Sequence, residues 1–391
     1  FRNSRNVWAV NDDYTRKNSL TLTRSWANYS FRMNTLWYDN VRARRQGTDD
    51  TSLQTLPSFQ FDASKKQIGS SRLYYTLDSE YAAFYRKDTT TTLVKGQRTD
   101  IHPRLYLPLK LGPYFNFEPS VGARETLYHT TDFTDVEGDD DDFRSREMYD
   151  LQATLSTKII RMFEPRARFA DKLKHEIVPE LKYQFIPNVS QATLPYFDDQ
   201  DRVDPENEIA LSVTNTFISK RTLTGPDGRE KTVYRDLAYI KLSQGFDIRR
   251  ERKGQSQPFS NLELEAELDP CDYLDLTADV AWNPHDSHFK TVNLGGTVKD
   301  RRGDKLTGEY RYSSTLSHTL YGRLDVAITD RLSTFYSLER NLSEERTVET
   351  RAGISYDKAC WRLDLYVEES GGEKSVAFMI NLAGIGEFGN Q

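Results

Sequence analysis

The stretch DKACWRLDLYVEESGGEKSVAFMINLAGIGEFG, Asp357 to Gly389, decides how the rest of the chain is read. Trp361, Leu363, Leu365 and Val367 alternate with Arg362, Asp364 and Tyr366. A polar, glycine-containing turn spans Glu369 to Lys374, and Val376, Phe378, Ile380 and Leu382 then line one face of a closing run. Side chains on a strand point alternately to its two faces, so this period of two predicts two strands, each with one greasy and one wet face.

The unit recurs along the chain. Working backwards, Arg346 to Ser355, Leu332 to Arg340, Thr319 to Ile328, Lys305 to Tyr312 and Phe289 to Lys299 follow the same pattern. The alternation is cleanest where Leu274, Leu276, Ala278, Val280 and Trp282 oppose Asp275, Thr277 and Asp279, and where Leu262, Leu264, Ala266 and Leu268 oppose Glu263, Glu265 and Glu267. Further upstream lie Val233 to Ile248, Glu208 to Ser219, Lys172 to Ile186, Glu147 to Ile159, Tyr114 to Tyr128 and Thr99 to Leu109. Ser71 to Arg86, Leu53 to Ser64, Asn28 to Asp39, Ser19 to Trp26 and a poor run from Arg2 to Val10 complete the set. The expectation is about 20 antiparallel strands and no convincing helix.

Composition narrows the class. No apolar run is long enough for a membrane-spanning helix. Mean hydropathy is −0.72, yet alternating barrel strands keep this value low even when they cross a bilayer. Twenty-two tyrosines and 20 phenylalanines suit the aromatic girdles of such a barrel. The 53 basic residues nearly balance the 59 acidic ones, which argues against a nucleic-acid binder. The sequence therefore predicts an all-β chain, a large antiparallel transmembrane β-barrel. Counted back from the last strand, one end of the strands collects most of the long polar segments: Asn40 to Ser52, Lys87 to Gln97, Thr131 to Arg144, Asn188 to Asn207 and Arg249 to Pro258. The other end collects tight turns at Ala27, Lys110 to Pro113, Asp269 to Asp272, Thr329 to Arg331 and Asp357 to Ala359, with long exceptions at Arg161 to Asp171 and Lys220 to Lys231. Outer-membrane barrels place long loops outside and short turns in the periplasm.

Few residues suggest chemistry. The histidines at 102, 129, 175, 285, 288 and 318 lack a zinc-ligand spacing, and no nucleotide-binding or nucleophile-elbow motif is present. No catalytic residue, metal ligand or cofactor is expected. Glu137, Asp139, Asp140, Asp141 and Asp142 form an acidic run in an outer loop, read as a solvated loop or as oxygen ligands for divalent cations. Arg249 to Lys253, RRERK, is likewise a solvated loop or a contact for phosphate. Cys271 and Cys360 fall in periplasmic turns about six strands apart, which at roughly 5 Å per strand is far beyond the reach of a disulfide. Each is a free thiol or pairs with something outside this chain.

Several stretches, in their order, resemble the LptD family of lipopolysaccharide-assembly outer-membrane proteins. They are Leu56 to Phe61 (LPSFQF), Leu105 to Arg124 (LYLPLKLGPYFNFEPSVGAR), His175 to Pro187 (HEIVPELKYQFIP), Leu194 to Asp198 (LPYFD), Asn207 to Phe217, Tyr356 to Trp361 (YDKACW) and the GIGEFG end. The resemblance implies that residues 1–391 are the C-terminal part of a very large barrel in the outer membrane of a Gram-negative bacterium, with a periplasmic jelly-roll domain and the first strands lying outside this chain. It implies transport rather than catalysis, with lipopolysaccharide as cargo, an LptE-type lipoprotein as plug and an LptA-type periplasmic bridge as donor.

The same resemblance implies a lateral gate between first and last strands. Its C-terminal side would carry Val376, Phe378, Ile380, Leu382, Gly384 and Gly386. Many relatives have two adjacent cysteines before the tryptophan, bonded to the N-terminal domain; Ala359-Cys360 stands there, so one such bond is possible through Cys360. The rival reading is a barrel for solute uptake, with a constriction or plug of its own and no partner lipoprotein.

Overall fold

The computed structural model describes residues 15–48, 50–87, 93–131, 143–165, 170–224, 229–254, 257–382 and 386–390. The chain divides into two compact units, one built from residues up to Leu155 together with Lys182–Glu208, the other from Ser156–Leu181 and the residues from Ile209 onward.

In the first unit, β1 (Thr15–Ser25), β2 (Tyr29–Asn40), β3 (Gln54–Gln67), β4 (Tyr74–Lys87) and β5 (Leu93–Tyr106) pair in sequence, each antiparallel to the next. A short β6 (Leu109–Leu111) continues β5, and both pair with β7 (Phe115–Thr131). Pro108, which has no N–H to donate, sits in the break between them. The reversal expected at Lys110 begins two residues later, at Gly112, whose φ of +64° is a left-handed conformation suited to glycine. β8 (Phe143–Thr157) starts four residues earlier than the alternation suggested. Ile159, expected at its end, opens a separate β9 (Ile159–Phe163) in the second unit, paired with β10 (Lys172–Ile186).

After β11 (Glu206–Thr224) and β12 (Glu230–Asp247), the second unit is a meander of hairpins: β13 (Leu262–Cys271), β14 (Leu274–Asn283), β15 (His288–Lys299), β16 (Lys305–Ser313), β17 (Ser317–Ala327), β18 (Leu332–Asn341), β19 (Arg346–Lys358), β20 (Trp361–Ser370), β21 (Glu373–Leu382) and β22 (Gly386–Asn390). The long exception at Lys220 to Lys231 shrinks because β11 and β12 both extend into it. From β13 onward both strand ends carry tight connections, so the contrast between long and short loops belongs to the earlier part of the chain. Two one-turn helices, α1 (Val41–Gln46) and α2 (Ile248–Arg252), lie in segments expected to be plain loops. The run from Arg2 to Val10 lies outside the described residues.

Amphipathicity is inverted relative to a water-soluble domain. On β5, Ile101 and Leu105 are exposed while Arg98 and Asp100 are buried. The largest fully buried side chains include Arg98, Arg146, Tyr128, Thr126 and Asp201. The exposed set includes Phe61, Val121, Tyr149 and Leu151 in the first unit, and Leu294, Val298, Leu306, Leu320, Leu324, Ile354, Leu365 and Phe378 in the second. Contiguous apolar surface of this kind requires a partner phase. Lipid on the apolar face and polar groups on the other are what a transmembrane strand presents.

The polar face holds together by cross-strand pairs. In the second unit, Lys241, Glu265 and Asp279 stand in one register row, and Arg351 bonds Glu368 at 2.8 Å. Phe335, Tyr366 and Ala377 form a small buried cluster there, with the Arg323 guanidinium over the Phe335 ring at 4.2 Å.

Candidate functional site

The densest polar site lies within the first unit, where residues 187–205 lie against the polar face of β4, β5, β7 and β8. Alternation puts Glu80, Ala82 and Phe84 of β4, Arg98, Asp100, His102 and Arg104 of β5, and Gly122, Arg124, Thr126 and Tyr128 of β7 on one face. Met148, Arg146 and Asp150 of β8 are buried at alternate positions.

The segment is organised by a 3-10 turn, Asp199–Asp201, capped by Asp198. The Asp201 carboxylate accepts from the backbone N–H of Phe197 (2.5 Å) and of Asp198 (2.9 Å). This folding presents the side chains of Asp198, Gln200 and Asp201 to Arg98. Its Nη1 donates to Asp198 (2.6 Å) and Asp201 (2.7 Å), and its Nη2 to Asp198 (2.9 Å), Glu80 (2.9 Å) and Gln200 (3.1 Å). Arg146 binds the same segment through the carbonyls of Asp201 (2.9 Å) and Gln200 (3.1 Å) and the Gln191 side chain (2.8 Å), and reaches Thr126 at 3.0 Å. These acceptors offset the cost of burying the two guanidinium groups, although the Nε of both Arg98 and Arg146 is buried without a hydrogen-bond partner.

Apolar contacts complete the anchor. Phe197 stacks on Phe84 with centroids 4.5 Å apart, and Leu194, Ala82 and Tyr128 close the cluster. A Cβ on Gly96 would fall 2.2 Å from Phe197 Cζ, so the ring occupies the space a side chain would need. Tyr196 stays outside; its hydrogen bond to the Asp199 carboxylate pushes the phenol above its ordinary value.

Below the segment a cavity of about 250 Å³ is lined by Asp62, Asp78, Glu80, Asp100, His102 and Gln200, among others. Asp62 and Asp78 are cross-strand neighbours, and Asp78 is in turn opposite His102. His102 Nε2 lies 2.7 Å from Asp150 Oδ1, with Arg104 on the other oxygen. A Cβ on Gly122 would collide with both Asp150 and His102. Arg124 also lines the cavity and pairs with Asp100 at 2.8 Å, and Glu80 pairs with Arg98, so the cavity offers hydrogen-bond acceptors together with a guanidinium, a setting suited to hydroxyl-rich groups. Among the described residues, no group of three His, Cys, Asp or Glu side chains is placed to hold a metal ion.

The model of the family LptD, LPS transport system D, matches residues 8–341. The chain belongs to the LptD family. It is 26% identical to the LPS-assembly protein LptD of Marinobacter nauticus over 355 residues, covering 80% of this chain and 42% of that protein. It is 22% identical to that of Nitrosospira multiformis, covering 79% of this chain and 33% of the relative. The chain thus spans less than half the length of these relatives. Among solved structures, the ferric enterobactin receptor PfeA of Pseudomonas aeruginosa covers 94% of this chain and 70% of its own at 10% identity and a TM-score of 0.41. The siderophore receptor PirA of Acinetobacter baumannii covers 94% and 71% at 9% identity and a TM-score of 0.40. The fold class of this LptD-family chain is the antiparallel outer-membrane β-barrel class that its strand pattern led us to expect.

The residues singled out from sequence fall elsewhere. In this LptD-family chain Cys360 is an exposed free thiol in the β19–β20 turn, and Cys271 an exposed free thiol ending β13. Val376, Phe378, Ile380 and Leu382 lie on one face of β21, opposite Val367, Leu365, Leu363 and Trp361. The expectation that Gly386 continues this strand is corrected: it sits on β22, which turns back and pairs with β21, Gly386 opposite Leu382. The sequence carries a local reason: glycine, present at 384 and 386, weakens continuation of a strand. Gly384, Glu137 and Asp139 to Asp142 lie outside the described residues. Sequence reasoning missed Arg98, Arg146 and Asp201. The available signal was the alternation Arg98, Asp100, His102, Arg104, a charged face on a strand whose other face is apolar.

Proposed function

We propose that this chain is the C-terminal barrel portion of an outer-membrane protein that delivers lipopolysaccharide to the cell surface, without catalysing a reaction. The match of the family model to residues 8–341 carries this reading. The inverted faces support it: an apolar face suits lipid, and a wall rich in carboxylates, arginine and amide groups suits the sugar part of a glycolipid. In this account residues 187–205, pinned by Arg98 and Arg146, set the contour of the polar wall.

The finer parts of the proposal follow the family. An LptE-type lipoprotein occupies the lumen of the intact barrel, an LptA-type bridge supplies cargo through a periplasmic domain, and Cys360 ties the barrel to that domain. A lateral gate opens along the closing strands.

A photoreactive side chain placed in the intact protein tests the route. At Gln60 or Arg124, on the polar face, it should capture lipopolysaccharide in growing cells; at Leu294 or Leu320, on the apolar face, it should capture far less. Equal capture at both faces, or none at the polar positions, would contradict the reading.

A further inference from the structure

The chain contains the same small device twice. At the end of β2, Asn40 caps α1 by accepting from Ala43 N at 3.0 Å, and Gly47 ends the turn at φ +67°. At the end of β12, Asp247 caps α2 by accepting from Arg249 N (2.9 Å) and Arg250 N (3.0 Å), and Gly254 follows at φ +63°. The intervening residues are Val-Arg-Ala-Arg-Arg-Gln in one and Ile-Arg-Arg-Glu-Arg-Lys in the other. Val41 and Ala43 are buried, which turns Arg42, Arg44 and Arg45 outward. Arg250, Arg252 and Lys253 are exposed in α2 and Arg249 is half-buried. Acids lie close by: Asp39 meets Arg44 at 3.1 Å and Asp50 accepts from the Asn40 N–H at 2.9 Å beside α1, while Asp247 meets Arg250 at 3.5 Å and Glu251 lies within α2, whose basic residues outnumber its acids.

An exposed aromatic residue accompanies each basic turn. Trp37 is 58% exposed on β2, three residues before the cap, about 10 Å down the strand. Phe259 is exposed beside α2 and packs edge-on against Phe246 at 5.0 Å. Each helix also lies at the strand end away from the neighbouring tight turn, at residues 26–28 for β1–β2 and 272–273 for β13–β14. An aromatic side chain at the lipid–water boundary with guanidinium groups just beyond it is the arrangement that meets phosphate at headgroup depth.

We propose that α1 and α2 are each a contact site for the phosphates of anionic lipid, in the leaflet at the end of its own strands. Capping and the glycine ends hold the guanidinium groups at a fixed height, so that the lipid is selected by charge while the aromatic residue sets depth.

The test uses the intact protein in detergent, equilibrated with phosphatidylglycerol or phosphatidylcholine, with lipid retained after gel filtration as the readout. The wild type should retain phosphatidylglycerol preferentially, the more so at low salt. The triple variants R42Q/R44Q/R45Q and R249Q/R250Q/R252Q, made separately, should each lower that preference by about five-fold or more. Exchange of the same residues for Lys should keep most of it. Equal retention of the two lipids by the wild type, or an unchanged preference in both Gln variants, would overturn the proposal. So would displacement of the lipid by inorganic phosphate at the same concentration, which would mark a free-phosphate site instead.

Discussion

Arg98 Nη1 lies 2.7 Å from Asp201 Oδ1, across 103 residues of sequence, with side-chain exposures of 1% and 0%. This pair fastens residues 187–205 to the strand wall and joins the segment's own turn to β5. Replacing Arg98 by Met should leave Glu80, Asp198 and Asp201 facing one another without a counter-charge. Breaking one side of a buried pair costs about 3–5 kcal/mol. Limited proteolysis should then cut within residues 187–205 while the strands resist; an uncut segment would show that the apolar contacts of Phe197 and Leu194 suffice.

Glycine positions give a graded set. Gly96→Ala forces Phe197 off its stack with Phe84, and Gly122→Ala pushes apart His102 and Asp150. Each should destabilise by about 1–3 kcal/mol, seen as a lower melting temperature of the intact protein in detergent. Gly308→Ala and Gly322→Ala meet nothing within 4 Å and should be neutral or raise it, because a less flexible unfolded chain favours the folded state. The reverse order of effects would contradict the packing described.

Part of this was readable beforehand. Strands follow from a period of two that survives in nearly every run, and the Lys172–Ile186 boundaries agree with expectation to the residue. The anchored segment was not readable in this way. Its acceptors, Asp198, Gln200 and Asp201, are ordinary loop residues until their own turn gathers them, and the arginines that bind them lie 54 to 103 residues away. Nothing local distinguishes them from a solvated acidic loop. β22 escaped for a related reason, since strand pairing, rather than alternation, decides whether Gly386 continues β21 or folds back on it.

A pH effect is expected at the loop that carries α1. Burial pushes the Asp50 carboxyl up, but donors from Asn40 and Ser52 outweigh it and hold the group below its ordinary value. A depressed carboxyl stabilises the fold at pH above its unfolded value, and that contribution disappears as pH falls through its folded value. Hydrogen exchange at residues 41–53 should therefore accelerate in acid beyond the intrinsic change, and Asp50→Asn should remove the acid-dependent part. An identical acid response in the variant would assign it to another group.

The cysteines separate two roles. If Cys360 bonds the periplasmic domain, a maleimide should label Cys271 in the intact oxidised protein and should reach Cys360 only after reduction. Equal labelling of both before reduction would remove the disulfide from the account.

The central claim is that the parent protein of this chain delivers lipopolysaccharide to the surface. The most direct measurement follows newly made lipopolysaccharide at the cell surface after depletion of that protein in its own cell, with uptake of small solutes monitored in parallel. The account predicts loss of new surface lipopolysaccharide and its accumulation at the inner membrane. Normal delivery of lipopolysaccharide with a lost solute uptake would contradict it.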